Sequence, residues 1–238
     1  MKKKLRTLVH KLGINISRNF GFSPGIYNSS YLSRLLSPDL VIDVGVGFGT
    51  HELYAAFPAA DFLLIEPLQE YKAAIDGISA SYSCETIYKA VGKEPGHLEI
   101  NVAPDDPQLS SLLERSDLTA EGLKSEKRTI EVTTLDSIFA GKQLPAKTLL
   151  KIDTEGNELA VLQGAEEILP RIDCVIAEAS IAPRFKDGYR FDDLVAFLAD
   201  RGFELYSFLY ITHKVEEMQP RFADVVFMRS DAAATGNG

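Results

Sequence analysis

The feature that most constrains the fold of this 238-residue chain is an apolar segment that runs directly into a glycine-rich turn. Residues 40–44 predict a buried strand, and Gly45, Gly47 and Gly49 follow it at alternate positions. Glycine tolerates positive φ and lets a ligand approach the backbone closely. A helix that starts after such a turn offers free N–H groups to a carboxylate or a phosphate. The sequence therefore predicts a strand–turn–helix unit with a ligand site at its turn.

Further apolar segments alternate with helical patterns along the chain. This alternation predicts an α/β fold with a doubly wound, mostly parallel sheet, in which ligands bind beyond the carboxyl ends of the central strands. The predicted strands are 40–44, 62–66, 86–91, 98–102, 130–133, 149–153, 174–177, 203–211 and 224–228, and the predicted helices are 50–57, 69–78, 135–139, 155–169 and 191–201.

The predicted organisation is one Rossmann-like domain over residues 39–230, with a helical extension over 1–38 and a disordered tail over 231–238. The extension begins with basic residues and lacks the apolar run of a signal peptide. We expect a helix that packs by one edge, with a peripheral membrane contact or a partner-enzyme contact as the alternative. The polar segment 104–127 is predicted to be an active-site loop or lid.

The composition indicates which class of molecule the protein binds and which cellular compartment it occupies. The net charge of −9 disfavours a nucleic-acid partner and leaves small molecules or carbohydrates as the expected acceptors. No segment reaches the roughly 20 apolar residues that a membrane-spanning helix needs. The two cysteines, Cys84 and Cys174, suggest neither a disulfide framework nor a metal site. We therefore predict a cytoplasmic protein.

Two acidic residues flank the glycine turn in a pattern that indicates nucleoside binding. Glu66 ends the second predicted strand about 20 residues after the turn, where a carboxylate can accept two hydrogen bonds from a ribose diol. Asp43 precedes the first glycine by two positions. The resulting D-x-G-x-G-x-G pattern differs from the G-x-G-x-x-G of dinucleotide sites. It resembles the first motif of class I methyltransferases, in which Asp43 would reach the methionine amino group directly or through water.

A second acidic motif follows the predicted strand over 149–153. Asp153 and Glu155 would lie at the carboxyl end of a central strand, above the expected pocket. Glu158 is predicted mainly to favour the start of the next helix. Asp153 is the residue in this motif for which a functional role is favoured.

Together these segments resemble the FkbM family of methyltransferases. The resemblance spans roughly residues 40–227 and implies a Rossmann-like sheet of seven strands with a final antiparallel strand. It also implies S-adenosylmethionine as methyl donor and oxygen methylation of sugars or natural products. Val46 departs from the small or polar residue that is common in the family. The segments that carry the resemblance are LLKIDTEGNELAVLQGAEEIL, VIDVGVGFGTHELYAA, IEP at 65–67, KAVG at 89–92, TLDSI at 134–138 and GFELY at 202–206.

The resemblance also assigns roles to individual residues. Asp153 and Glu155 match the carboxylates of the second motif, and Asp153 would also border the donor. Ser110 and Ser111 match serines of the family's lid only weakly. The expected donor-binding residues are Asp43, Gly45, Gly47, Gly49, Glu66, Pro67, Ala90, Val91 and Asp153.

Asp153 is the predicted base or acceptor-orienting group, with Glu155 in support and Glu178 as a third carboxylate on the same sheet edge. We predict no metal site, although a divalent cation held by Asp153 and Glu178 is an alternative. We expect a solvated loop around residues 181–190, with contacts to an anionic sugar as its alternative. Two other functions compete: an NAD-dependent oxidoreductase or epimerase, and an inactive donor-binding scaffold.

Overall fold

The computed structural model describes residues 27–116, 124–212 and 219–230. The segments 1–26 and 231–238, which hold most of the predicted extension and the predicted tail, lie outside the described residues. The strands are β1 (Leu40–Val44), β2 (Asp61–Ile65), β3 (Ser83–Ile87), β4 (Ala90–Val91), β5 (Gly96–Val102), β6 (Glu126–Thr133), β7 (Thr148–Ile152), β8 (Cys174–Ser180), β9 (Phe203–Ile211) and β10 (Phe222–Arg229). The α-helices are α1 (Ser29–Leu35), α2 (His51–Ala56), α3 (Lys72–Ser79), α4 (Leu135–Ile138), α5 (Glu158–Gln163) and α6 (Phe191–Ala199).

Seven strands form one sheet in the order β3-β2-β1-β7-β8-β10-β9. Strands β3, β2, β1, β7 and β8 are paired in parallel, and β10 runs antiparallel to both β8 and β9. The predicted fold class is therefore confirmed. Every residue of β7 and β8 is buried, as expected of central strands covered on both faces.

Helices cover both faces of this sheet, so it is doubly wound. Val41 and Leu149 point to the face covered by α1, α2 and α3, and Leu32 of α1 is fully buried there. Ile42 and Leu150 point to the opposite face, covered by α4, α5 and α6. Because side chains alternate along a strand, every second residue of β1 and β7 returns to the same face. None of the described helices is both long enough and apolar enough to cross a bilayer.

A second sheet of three strands, in the order β4-β6-β5, lies beside the main one. The strand predicted over 86–91 is wrong in its extent, because the chain divides it between the two sheets. β3 ends in the main sheet at Ile87, and β4 then pairs with β6. The predicted extra strand near 98–102 is confirmed as β5, which pairs with β6 in antiparallel register.

The helix predicted over 155–169 is wrong at both ends, since α5 covers only Glu158–Gln163. Glu155 and Gly156 have positive φ values of 52° and 101°, which a right-handed helix cannot contain. At the other end the Asp136 carboxylate accepts hydrogen bonds from the N–H groups of Glu167 and Ile168. Tertiary contacts therefore override a long apolar stripe that is typical of a helix.

Gly164 ends α5 against the backbone of the chain that follows β4. A β-carbon at Gly164 would lie 2.0 Å from the Gly92 carbonyl oxygen, although the φ of −89° at Gly164 suits any residue. We predict that Gly164→Ala lowers the free energy of unfolding by about 1–3 kcal/mol because of overpacking alone. Chemical denaturation measures this change.

The matched control is Gly77→Ala, at an exposed position in α3 where a β-carbon would meet nothing within 4 Å. Alanine is the better helix former, so this variant should gain up to about 1 kcal/mol. Equal effects of the two substitutions would contradict the close contact at Gly164.

Candidate active site

The candidate site is a cavity of about 450 Å³ beyond the carboxyl ends of β1, β2 and β7. This is where parallel sheets of this kind bind ligands. Its wall carries most of the residues that the sequence predicted: Gly45, Gly47, Gly49, Glu66, Pro67, Ala90, Val91, Ser110, Ser111, Asp153, Glu155 and Glu178.

The turn after β1 needs glycine for conformation and for space. Gly45, Gly47 and Gly49 have φ values of 80°, 54° and 93°, all in the region that other residues rarely adopt. A β-carbon at Gly45 would lie 1.8 Å from the Asp153 carbonyl oxygen. At Gly49 it would lie 2.6 Å from the Cδ1 atom of Ile78. The turn therefore presents bare backbone to the cavity and abuts the second acidic motif.

Glu66 ties this turn to the end of β2. Its carboxylate accepts hydrogen bonds from the backbone N–H of Gly47 at 3.0 Å and from that of Leu68 at 2.9 Å. Burial raises the pKa of Glu66 to about 7, and the same two N–H groups oppose that rise. Glu66 is thus a buried carboxylate at the cavity wall, and its charge is sensitive to pH near neutrality.

Asp43 lies beneath the turn and does not line the cavity. Its side chain is fully buried, and the Tyr54 hydroxyl donates to Oδ2 at 2.6 Å. The Nζ atom of Lys151 forms an ion pair with Oδ1 at 3.1 Å. The structure therefore places Asp43 in a buried charge cluster that supports the turn, and its contact with a donor stays a prediction.

Strand register places three carboxylates in one row across the sheet. Asp153 and Glu178 each lie one residue beyond the parallel pair Ile152–Ala177. Asp224 pairs directly with Glu178 across β8 and β10. Like charges in such positions repel each other. Burial raises the pKa of Asp224 to about 7, and the nearby carboxylate of Asp153 adds to the rise.

Asp153 is the most accessible of the carboxylates that meet here. Its side chain is 37% exposed, and Lys151 lies 3.6 Å from its Oδ2 atom. It lines the cavity next to the glycine turn, as the sequence predicted.

The carboxylate of Glu155 forms ion pairs with two arginines. The Nη2 atoms of Arg115 and Arg184 both contact its Oε2 atom, the former at 2.6 Å. The Ser111 hydroxyl donates to its carbonyl oxygen at 2.6 Å. Burial raises the pKa of Glu155, and the two guanidinium groups act against that rise. Glu155 therefore connects Ser111 and Arg115, both in the segment predicted to be a lid, to the turn after β7.

Arg184 also binds Glu178, through Nη1 at 2.5 Å. Its guanidinium lies 4.5 Å from the centre of the Phe222 ring and 5.2 Å from that of Phe185. The expectation of a solvated loop is wrong for Arg184, which is only 2% exposed because two carboxylates compensate its charge. The side chains of Lys186 and Arg190 are exposed as expected.

Glu158 stabilises the backbone of the second motif. Its Oε1 atom accepts hydrogen bonds from the N–H groups of Thr154 at 2.9 Å and Gly156 at 3.0 Å. The Tyr189 hydroxyl donates to Oε2 at 2.8 Å. Glu158 lies in the first turn of α5, as predicted, and its hydrogen bonds hold the strained turn that precedes the helix.

Sequence reasoning missed three residues of the site, Tyr54, Arg115 and Lys151, and treated Arg184 as part of a solvated loop, with contact to an anionic sugar as the alternative. Lys151 had a usable signal, because a cation inside a buried apolar strand needs a carboxylate partner. Arg115 lies in the polar segment predicted to be a lid, where one charged residue among many gives no signal.

In the parts of the chain that the structure describes, no group of three His, Cys, Asp or Glu residues is arranged to hold a metal ion.

The chain matches a known protein family. The family model described as the methyltransferase FkbM domain matches residues 43–205. A comparison with curated proteins returned no match.

Several solved structures are similar at low identity. The FkbM methyltransferase of Methylobacillus flagellatus is 15% identical with a TM-score of 0.48, and the match covers 81% of this chain but only 44% of that protein. A putative O-methyltransferase of Klebsiella pneumoniae is 12% identical, with 95% and 88% coverage and a TM-score of 0.48. Magnesium protoporphyrin IX methyltransferase of Synechocystis, solved with its bound donor, is 12% identical, with 96% and 97% coverage and a TM-score of 0.45.

The arginine–carboxylate network predicts a pH-dependent loss of stability. We expect Arg184→Met to lower the free energy of unfolding by about 3–5 kcal/mol at pH 8, because it leaves Glu155 and Glu178 buried without this cation. The loss should shrink near pH 5, because the carboxyl groups can then bind protons. Denaturation curves at both pH values measure it. Lys127→Met, which removes a surface ion pair with Glu99, should change little. An equally small loss for Arg184→Met at pH 8 would contradict the network.

Proposed function

Since this chain belongs to the FkbM family of methyltransferases, we propose that it transfers the methyl group of S-adenosylmethionine to a hydroxyl oxygen of a carbohydrate or another small acceptor. One observation carries the proposal: the glycine turn, Glu66 and the accessible carboxylate of Asp153 share one cavity wall. A donor in the turn would thus lie beside a potential base.

The chemistry of the wall fits the donor. Glu66 would accept hydrogen bonds from the ribose diol, and the bare backbone of Gly45 and Gly47 would lie against the methionine part. Pro67, Ala90 and Val91 supply apolar surface for the adenine. The cavity volume of about 450 Å³ falls within the range of small-molecule pockets. Asp43, buried and paired, would support the turn from below.

Three carboxylates border the acceptor side of the cavity, and their partners decide which can act as base. Glu155 and Glu178 are both held by Arg184, whereas Asp153 has one ion-pair partner among the described residues, Lys151 at 3.6 Å. We therefore assign Asp153 as the base and Glu155 as a support for the lid. The bound donor would supply an electrophilic methyl group on a sulfonium.

Transfer needs the acceptor oxygen aligned with the methyl carbon and sulfur. As that oxygen bonds to carbon, the carbon–sulfur electron pair stays with sulfur and Asp153 takes the hydroxyl proton. Alignment and proton removal are the two contributions expected of this chain.

Alternating carboxylates and guanidinium groups suit an acceptor rich in hydroxyls, which both donate and accept hydrogen bonds. The net charge of −9 favours such acceptors over nucleic acid. The cytoplasmic location and the contacts of the basic N-terminus stay predictions.

The donor contact is tested with S-adenosylhomocysteine, the stable product of the donor. We expect Glu66→Gln to weaken its binding by about 1.5–3 kcal/mol, because a charge-assisted bond to the diol is lost. Wild-type affinity should rise as the pH increases towards 7 and then level off, since the diol binds the ionised form of a group whose pKa is about 7 in the empty site. Titration calorimetry measures both effects.

Glu52→Gln, at an exposed position of α2, serves as the matched control and should bind like the wild type. NAD in place of the homocysteine compound separates the oxidoreductase alternative. Tighter binding of NAD, or unchanged affinity in Glu66→Gln, would refute the assignment of the donor site.

The acceptor is sought with labelled donor and a panel of glycans and hydroxylated metabolites, followed by mass spectrometry. With the acceptor found, Asp153→Asn should lower turnover by about 10²–10⁴-fold while donor affinity stays the same. Asp200→Asn, an exposed carboxylate after α6 that does not line the cavity, is the control. Full turnover by Asp153→Asn would remove Asp153 from catalysis. Donor binding without transfer to any compound would favour the scaffold alternative.

A further inference from the structure

Lys151 is a buried cation inside the central strand β7. All five residues of β7 are buried, and Lys151 is its one charged residue. It lies two positions before Asp153, so the two side chains leave the same face of the sheet. Asp43, its register partner on β1, also lies on that face. A buried charge persists in a protein only when it is compensated.

The ammonium group of Lys151 connects both halves of the site. Its Nζ atom donates to the Gly45 carbonyl oxygen at 3.1 Å and lies 3.1 Å from Asp43 Oδ1 and 3.6 Å from Asp153 Oδ2. Burial acts to lower the pKa of Lys151, but Asp43 and Asp153 raise it above its ordinary value. Lys151 therefore stays protonated and cannot itself accept a proton.

Asp153 otherwise lies among acidic groups. Its negative charge contributes to the raised pKa values of Tyr27, Glu155, Glu178 and Asp224. Asp43 lies beyond Lys151, and the nearby cation Arg184 is bound by Glu155 and Glu178. Among the residues that the structure describes, Lys151 is the ion-pair partner of Asp153.

We propose that Lys151 is a positioning residue that joins the donor turn to the acceptor base: its ammonium group holds the Gly45 carbonyl in place and provides the positive charge that faces Asp153. The inference deepens the proposed function and rests on it for the role of Asp153 as base. One ammonium group would thus act on both the donor turn and the base.

Removal of Lys151 alone would leave Asp43 buried without its cation, so the single variant Lys151→Met risks failing to fold. The test therefore uses the double variant Asp43→Asn/Lys151→Met, which removes both charges, and compares it with Asp43→Asn. The two proteins differ only in the ammonium group. Thermal unfolding first confirms that both are folded.

The main measurement is the pH titration of the Asp153 carboxyl carbon by NMR of ¹³C-aspartate-labelled protein. The Asp153→Asn spectrum identifies the signal. Because an opposite charge within about 4–6 Å lowers the pKa of a carboxyl by about one to three pH units, the midpoint should lie at least about one pH unit higher in the double variant than in Asp43→Asn. A purely structural role of Lys151 would not move this midpoint.

The second measurement follows the acid limb of the pH–rate profile once an acceptor is known, and this limb should move upward by the same amount. Equal titration midpoints in the two proteins would overturn the inference about Lys151. Absence of any methyl transfer by the wild type would instead count against the proposed function. The NMR titration needs neither donor nor acceptor, so the two failures are distinguishable.

Discussion

The site depends on the parallel pairing of β1 with β7. This pairing brings Gly45 and Asp153 together although about a hundred residues separate them in sequence, and their backbones approach so closely that no β-carbon fits at Gly45. The glycine turn and the proposed base Asp153 are consequently held together by one close contact at the ends of two central strands. Catalytic groups held by strands are positioned more tightly than groups on free loops.

The contact between the backbones of Gly45 and Asp153 brings charged side chains together in a region that little water reaches. Asp43, Lys151 and Arg184 are all almost completely buried, and each has a partner of opposite sign. Desolvation makes such groups costly unless they are paired, and loss of one partner costs more than the pair contributes. Because acids and cations alternate in the site, replacement of one charged residue would leave a buried partner without its counter-charge. Arg115, which lies in the segment predicted to be a lid, also pairs with Glu155 at the cavity wall.

The sequence predicted the parts of the structure that depend on local patterns. Continuous apolar runs identified β1, β2, β7 and β8, and the spacing of the glycines and Glu66 identified the cavity. Contacts between distant segments escaped prediction. The premature end of α5 depends on Asp136 and on Gly92, and the burial of Arg184 depends on a carboxylate in the turn after β7 and another in β8. Hydrophobic periodicity within a short stretch of sequence carries no information about such contacts between distant residues.

The same distinction bears on the choice of base. The sequence favours Asp153 over Glu155 and Glu178 because Asp153 ends a predicted central strand. The structure adds the positions of the cations: Arg184 contacts Glu155 and Glu178, while the more distant Lys151 leaves Asp153 accessible to the cavity. A carboxylate that must accept a proton gains from a cation near enough to keep it ionised and far enough not to occupy its oxygens. On this argument the arginines and Lys151 select the base as much as the acids themselves do.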